Sequence, residues 1–124
     1  MTQRVGAQAP VAGSLRLGVA DSFAVTSLPP LLVELGERYP ALRIEVSVAF
    51  SAELDAALQA GDLDLAVLTA PRLGEPISVE PLVEMVLRWV APSRLLRDKR
   101  RLRPADLVDV PIVTNPSPSH LFIA

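Results

Sequence analysis

The sequence predicts an α/β fold of three layers, in which helices flank a mostly parallel sheet. Between Ser14 and Thr69 the apolar pattern alternates between the strand and helix periods, giving strand, helix, strand, helix, strand. Half of the residues are hydrophobic, 4% are aromatic and 21% are charged, which is typical of a globular domain with an aliphatic core. Strands joined by helices pair in parallel, so a small-molecule site is expected where their carboxyl ends meet.

The first strand is predicted at 14–20, where apolar side chains alternate with Arg16 and Gly18. Asp21 and Ser22 follow it, and both residue types are able to cap the N-terminus of a helix.

The main helix of the first crossover is predicted to begin at Leu28-Pro29-Pro30, with Ser27 as a possible cap. Proline is tolerated there because the first backbone N–H groups of a helix have no intrahelical acceptor. Pro40 ends the helix, since the residue before a proline is disfavoured in the helical conformation.

The alternating run 42–48 is predicted as an edge strand with one wet face. Ser51 is predicted to cap a short helix, with Glu53 and Asp55 near the positive end of its dipole and Gly61 ending it. The run 63–68 is apolar at almost every position and is predicted as the central strand, covered on both faces.

Beyond residue 70 the apolar patterns are shorter and less regular. A Pro/Gly loop at 71–76 precedes two predicted extended segments, 77–83 and 86–90. Pro104 is predicted to open one or two helical turns, and 112–114 is predicted as a final short strand.

Composition excludes several classes of function. The net charge of −2 gives no general attraction to nucleic acid or anionic lipid. With no cysteine and a single histidine, His120, no metal site or other cofactor is expected. No nucleophile elbow or phosphate-binding glycine motif is present, so an enzyme is not expected. No apolar run approaches the roughly 20 residues that span a bilayer, and no secretory signal precedes the fold, so a cytoplasmic location is expected.

In their order, residues 13–18, 28–40, 61–67 and 91–111 resemble the effector-binding domain of LysR-type transcriptional regulators, a type 2 periplasmic-binding-protein-like fold. The resemblance covers 13–120 and implies a first lobe plus an incomplete second lobe. Residues 1–13 would be a tail or linker stub, 14–83 the first lobe, and 84–124 the start of the second.

The resemblance implies a cytoplasmic fragment that binds a small metabolite and lacks the helix-turn-helix, so that it does not itself bind nucleic acid. The intact parent protein would be a homo-oligomer. The alternative is a solute-binding receptor of a transport system with the same fold, and a small enzyme acting through His120 or Asp21 is a more distant third reading.

The resemblance also places the effector between the lobes, held by hydroxyl and backbone groups. The matching residues are Ser22 and Phe23 after the first strand, Thr69 after the third, and Asn115 and Ser117 in the second lobe. Ser22 as a simple cap and Thr69 as a loop hydroxyl remain open alternatives.

Two features near Ser22 favour opposite charges on the ligand. Helix N-terminal amides near Ser22 suit a carboxylate, whereas Asp21 either points away from an anion or indicates a different effector. The basic run between Arg94 and Arg103 suggests nucleic acid at first sight, but without interleaved aromatic residues it is interpreted as a solvated loop.

Overall fold

The computed structural model describes residues 11–96 and 101–115. The chain divides into two compact units between Val79 and Glu80. The end of the first lobe at residue 83 stays a prediction. Residues 1–10 of the tail, residues 97–100 of the basic run, Ser117 and His120 lie outside the described residues.

The first unit contains a parallel sheet of three strands, β1 (Gly13–Val19), β2 (Leu42–Val48) and β3 (Leu65–Val67), in the order β2-β1-β3. The predicted edge position of β2 is confirmed. The prediction that 63–68 forms the central strand is wrong, because the second crossover passes back over β1 and leaves β3 at the other edge of the described sheet.

Two helices connect β1 to β2, namely α1 (Asp21–Thr26) and α2 (Leu28–Arg38), and α3 (Ser51–Ala60) connects β2 to β3. The prolines after Leu28 occupy the first turn of α2, as predicted. Gly61 ends α3 in the left-handed conformation with φ of 78°.

The predicted helix caps need correction. Asp21 and Ser22 lie inside α1, whose N-cap is Ala20. Ser27 occupies the N-cap position of α2, but its side chain makes no capping hydrogen bond. Ser51 is the first residue of α3, and Phe50 is the cap. At this end of α3 the Glu53 carboxylate accepts a hydrogen bond from the Phe50 N–H at 3.0 Å, and the Phe50 carbonyl accepts one from the Glu53 N–H at 3.0 Å, so the Ser51 hydroxyl takes no part in the cap.

One face of the sheet carries the main core. Leu17 and Val19 of β1 are buried together with Leu28 of α2, and partly buried side chains from all three strands and from α1 and α2 pack around them. Leu17 is 2% exposed and Val19 is fully buried. Both residues have odd numbers, as expected when alternate side chains of a strand point to one face.

The opposite face packs against α3. Gly18 faces Leu54 of α3 and Leu63, which precedes β3, and both leucines are buried. Helices therefore cover both faces of the sheet, and the predicted arrangement of three layers is confirmed.

The second unit has little regular structure among its described residues. It contains a helical turn α4 (Ser93–Leu96) and a 3₁₀ turn at Pro104–Leu107, where Pro104 opens the turn as predicted. The segments 77–83, 86–90 and 112–114 form no strand pairing with any described residue, so their predicted strands are not found. A strand needs a hydrogen-bonded neighbour, and periodicity alone does not supply one. None of the described helices has the length and apolar character required to cross a membrane.

Candidate functional site

The carboxyl ends of the three strands form a single edge of the first unit. Val19 pairs with Val48 on one side and with Val67 on the other. Just beyond the strands, the Ala20 N–H donates to the Val67 carbonyl at 2.9 Å and the Ala49 N–H donates to the Val19 carbonyl at 3.3 Å. These bonds hold the starts of all three following loops side by side, and we call this region the carboxyl edge.

A hydrogen bond between Ser51 and Thr69 joins two of those loops. The Thr69 N–H donates to the Ser51 Oγ at 3.1 Å, in a partly buried setting. Ser51, predicted as a helix cap, therefore uses its hydroxyl oxygen to hold the loop that follows β3. A hydroxyl that accepts one bond still carries its own donor proton, so the pair presents polar groups at the carboxyl edge.

Ser22 and Phe23 lie in the first turn of α1, directly after β1. Ser22 is exposed, and its carbonyl accepts a hydrogen bond from the Thr26 Oγ1 at 2.7 Å. Phe23 is half-buried and packs against the main core, so packing accounts for much of its side chain.

The backbone of α1 begins its helical bonding at Ala24, whose N–H donates to the Ala20 carbonyl at 3.0 Å. The N–H groups of Asp21, Ser22 and Phe23 precede that bond and have no intrahelical acceptor. The carboxylate of Asp21 is exposed in the same turn. Backbone donors and a negative charge therefore lie close together at this end of α1.

A buried carboxylate holds the chain after Thr69. Asp55 of α3 is only 5% exposed, and its Oδ2 accepts a hydrogen bond from the Arg72 N–H at 3.2 Å. Between these bonds, Ala70 has a positive φ of 48°, a conformation that non-glycine residues adopt infrequently. Sequence reasoning placed Asp55 near the helix dipole and missed this role. Its position directly after the inward-facing Leu54 was the available signal.

The remaining predicted residues belong to the other part of the chain. Asn115 is exposed in the second unit, outside any helix or strand. Ser117 lies outside the described residues. The structure thus brings Ser22, Phe23 and Thr69 to one edge and adds Ser51 and Asp55 to their surroundings.

An open groove of about 510 Å³ lies elsewhere on the first unit. It is lined by Leu58, Gln59, Arg72, Gly74, Glu75, Pro76 and Ile77. Leu58 and Gln59 come from the last turn of α3, the end of that helix away from the carboxyl edge. The groove is therefore separate from the Ser51–Thr69 pair.

The parallel sheet covered by helices and the loops that meet at its carboxyl edge are those of an open α/β lobe, the class of fold that binds ligands at this edge. Residues 8–123 match the model of the LysR substrate binding domain. The chain belongs to this family, and the resemblance found in the sequence is confirmed.

Curated relatives agree with this assignment. The chain is 38% identical over 98 residues to the "Probable hydrogen peroxide-inducible genes activator" of Mycobacterium xenopi, covering 78% of this chain and 52% of the relative. It is 42% identical over 86 residues to a protein of the same name from Streptomyces viridosporus, covering 68% and 27%. The chain thus spans about half, or less, of the length of these relatives, which are named as regulators rather than as enzymes.

A solved structure of a LysR family regulator also resembles this chain. HinK, a LysR family transcriptional regulator from Pseudomonas aeruginosa, superposes with a TM-score of 0.54 at 32% identity. The superposition covers 58% of this chain and 25% of HinK. These comparisons support the regulator reading and give no support to a transport receptor.

Proposed function

We propose that this chain is the small-molecule-binding part of a LysR-type transcriptional regulator, and that its effector contacts the carboxyl edge of the first unit. The observation that carries the proposal is the Ser51–Thr69 hydrogen bond. It fixes two loops beside the end of β1, where open α/β sheets bind their ligands.

The ligand contacts in this proposal come from hydroxyl and backbone groups. Ser22 and Thr69 each contribute a hydroxyl, and the first N–H groups of α1 contribute donors without intrahelical acceptors. The proposal also keeps Asn115 and Ser117 as effector contacts, as the resemblance implies. A site of this kind recognises a small polar metabolite by a few directed hydrogen bonds.

We propose an anionic group on that metabolite, because backbone N–H groups at the start of a helix favour negative charge. Asp21 works against this preference from the same turn. Replacing Asp21 with Asn therefore serves as an internal test, since it should tighten binding of an anionic effector and leave a neutral one unaffected.

Regulation would follow from unequal affinity of the effector for two arrangements of the lobes, which shifts the population between them. The proposal includes a cytoplasmic location and a homo-oligomeric parent protein, as in the resemblance. It also includes no specific binding of DNA by these residues, whose net charge is −2.

A direct test combines a ligand screen with mapping of the bound site. Metabolites bearing carboxylate, amide or sugar groups would be screened against the chain by native mass spectrometry. Any that bind would be titrated while backbone amide signals are followed by NMR. The amides of Ser22, Ser51 and Thr69 should shift first, whereas those of Leu58 and Gln59 in the separate groove should not.

Two results would contradict the proposal. One is a set of ligands whose shifts are confined to the groove residues. The other is the absence of binding by every metabolite class in the screen. The first result would leave the family assignment unchanged and would assign the ligand site to the groove.

A further inference from the structure

One face of α3 is attached at two points to the loop that follows β3. Ser51 and Asp55 lie four residues apart in α3, a spacing that places two side chains on the same face of a helix. The Ser51 Oγ accepts a hydrogen bond from the Thr69 N–H at 3.1 Å. The Asp55 Oδ2 accepts one from the Arg72 N–H at 3.2 Å. Both ends of the loop 69–72 are therefore bonded to one helix.

The carboxylate of Asp55 is buried, which needs a physical reason. Asp55 is only 5% exposed, and aspartate is almost never fully buried unless it is paired. Removing a carboxylate from water is costly unless hydrogen bonds compensate for the lost solvation. An apolar side chain would fill this place on α3 at lower cost, as the neighbouring Leu54 does. The bond to the loop therefore accounts for Asp55 better than core packing does.

The loop between the two attachment points has a strained backbone. Ala70 has a φ of 48°, and its side chain is exposed. A non-glycine residue with positive φ costs free energy and persists only where the surrounding structure imposes that conformation. The hydrogen bonds of Thr69 and Arg72 to α3 lie on either side of Ala70, so they are the contacts that impose it. Strain of this kind is concentrated at functional sites.

We propose that Asp55 is a positioning residue for effector binding. Its carboxylate does not contact the effector. Together with the Ser51 hydroxyl it holds the strained loop 69–72, and so keeps Thr69 at the carboxyl edge. The assignment of Thr69 as an effector contact rests on the proposed function. The new element is that affinity depends on a buried side chain of α3 and on the backbone conformation of Ala70.

The first measurement follows the loop by NMR in the full chain without any ligand. Asp55→Ala removes the acceptor of the Arg72 N–H. It should change the three-bond HN–Hα coupling of Ala70, which reports φ. It should also accelerate hydrogen exchange at Thr69 relative to β1, although the acceptor of that amide on α3 is intact. Asp55→Asn keeps an acceptor oxygen and should behave like the parent. Asp62→Ala, at an exposed aspartate just after α3, is the matched control and should also behave like the parent.

A second pair of variants acts on the loop and leaves the buried carboxylate in place, so the test does not depend on whether Asp55→Ala folds. Ala70→Gly keeps the positive φ and removes its strain. Ala70→Val opposes the same conformation, because a β-branched residue with positive φ is a genuine outlier. The Ala70 side chain is exposed, so neither change disturbs the core. Exchange at the Thr69 amide should accelerate in Ala70→Val alone.

Acetate, the simplest carboxylate, is the probe for binding, because the proposed function includes an anionic group on the effector. Its titration is followed at the amides of Ser22 and Thr69. The midpoint concentration should rise about fivefold in Asp55→Ala and in Ala70→Val, which corresponds to the loss of one hydrogen bond. It should stay at the parent value in Asp55→Asn and in Ala70→Gly.

The results separate this role from the proposed function. Parent-like exchange at Thr69 in both Asp55→Ala and Ala70→Val overturns the positioning role and leaves the proposed function unchanged. An unchanged acetate midpoint in variants whose loop has loosened does the same, and so does failure of Asp55→Asn to behave like the parent. Acetate that shifts neither Ser22 nor Thr69 in the parent contradicts the proposed anionic effector, and the positioning role falls with it.

Discussion

Arg16 and Asp64 join β1 to the residue that precedes β3 by a reciprocal set of hydrogen bonds. The Arg16 N–H donates to Asp64 Oδ2 at 2.8 Å, and the Asp64 N–H donates to the Arg16 carbonyl at 2.9 Å. The Arg16 guanidinium also contacts both carboxylate oxygens, at 2.7 and 3.2 Å. This pairing precedes Leu17↔Leu65 in the β1–β3 register and so sets which residues of β3 reach the carboxyl edge.

The pair predicts a pH dependence of stability. Hydrogen bonds from the Arg16 side chain and backbone lower the pKa of Asp64 to about 2, from an ordinary value of 3.8. Because the folded-state pKa is the lower one, the stabilisation is fully present above 3.8 and is lost as the pH falls towards 2. We expect the Tm of Asp64→Asn to fall less steeply across this window than that of the parent, as followed by circular dichroism.

Asp109→Asn is the control for this measurement, because Asp109 is an exposed aspartate in the second unit. Its profile should follow the parent. Parallel profiles for the parent and Asp64→Asn would show that the contact does not persist in solution.

Close packing at Gly18 gives a second prediction. A Cβ at this position would lie 2.5 Å from Leu63 Cδ1 and 2.7 Å from Leu54 Cδ2, and both leucines are buried. We expect Gly18→Ala to lower the free energy of unfolding by about 1–3 kcal/mol, because the core has to shift to accept it. The measurement is urea denaturation.

Gly36→Ala is the matched control, since nothing lies within 4 Å of a Cβ at Gly36 in α2. That change should be neutral or stabilise the chain by up to about 1 kcal/mol, because alanine favours helix. Equal effects at both glycines would contradict the packing described for the α3 face.

The Ser51 hydroxyl gives a third prediction. Ser51→Ala removes the acceptor of the Thr69 N–H, so the free energy of unfolding should fall by about 1 kcal/mol. Hydrogen exchange at the Thr69 amide should accelerate by more than global destabilisation explains. Ser14→Ala, at the other end of β1, should leave this amide unchanged. Unaltered exchange at Thr69 in Ser51→Ala would remove the basis for a joined carboxyl edge.

Hydrogen exchange across the whole chain gives a fourth prediction. β1 has a hydrogen-bonded neighbour on both sides and a buried carboxyl half, so its amides should exchange most slowly. Residues 112–115 have no strand partner among the described residues and should exchange quickly. Uniform protection from β1 to residue 115 would show that the second unit is as stable as the first.

Much of the fold follows from the sequence, because residues 14–69 alternate clearly between the two-residue period of a strand and the 3.6-residue period of a helix. The alternation in β2 and the Pro-Pro helix entry predicted those elements closely. The order of strands was harder to predict. An apolar run such as 63–68 has the same pattern in a central strand as in an edge strand covered by helices, and β3 lies at an edge of the sheet that the described residues form.

The candidate site was predicted in part. Ser22 and Thr69 follow the carboxyl ends of β1 and β3, as the strand-end rule expects, because that placement depends only on parallel pairing. Their role as ligand contacts stays a prediction. The roles of Ser51 and Asp55 depend on where the chain returns after β3, which local patterns do not encode. The segments beyond residue 76 have strand periodicity without a described partner, so period alone predicted a pairing that residues 11–96 and 101–115 do not supply.

Loss of the edge hydroxyls tests the central claim most directly. For an effector found in the screen, affinities of Ser22→Ala, Thr69→Val and the control Ser14→Ala would be compared with the parent by calorimetry. We predict binding about tenfold weaker for the first two variants, with Tm within a few degrees of the parent, and no change for Ser14→Ala. Parent-like affinity in both edge variants would contradict an effector site at the carboxyl edge.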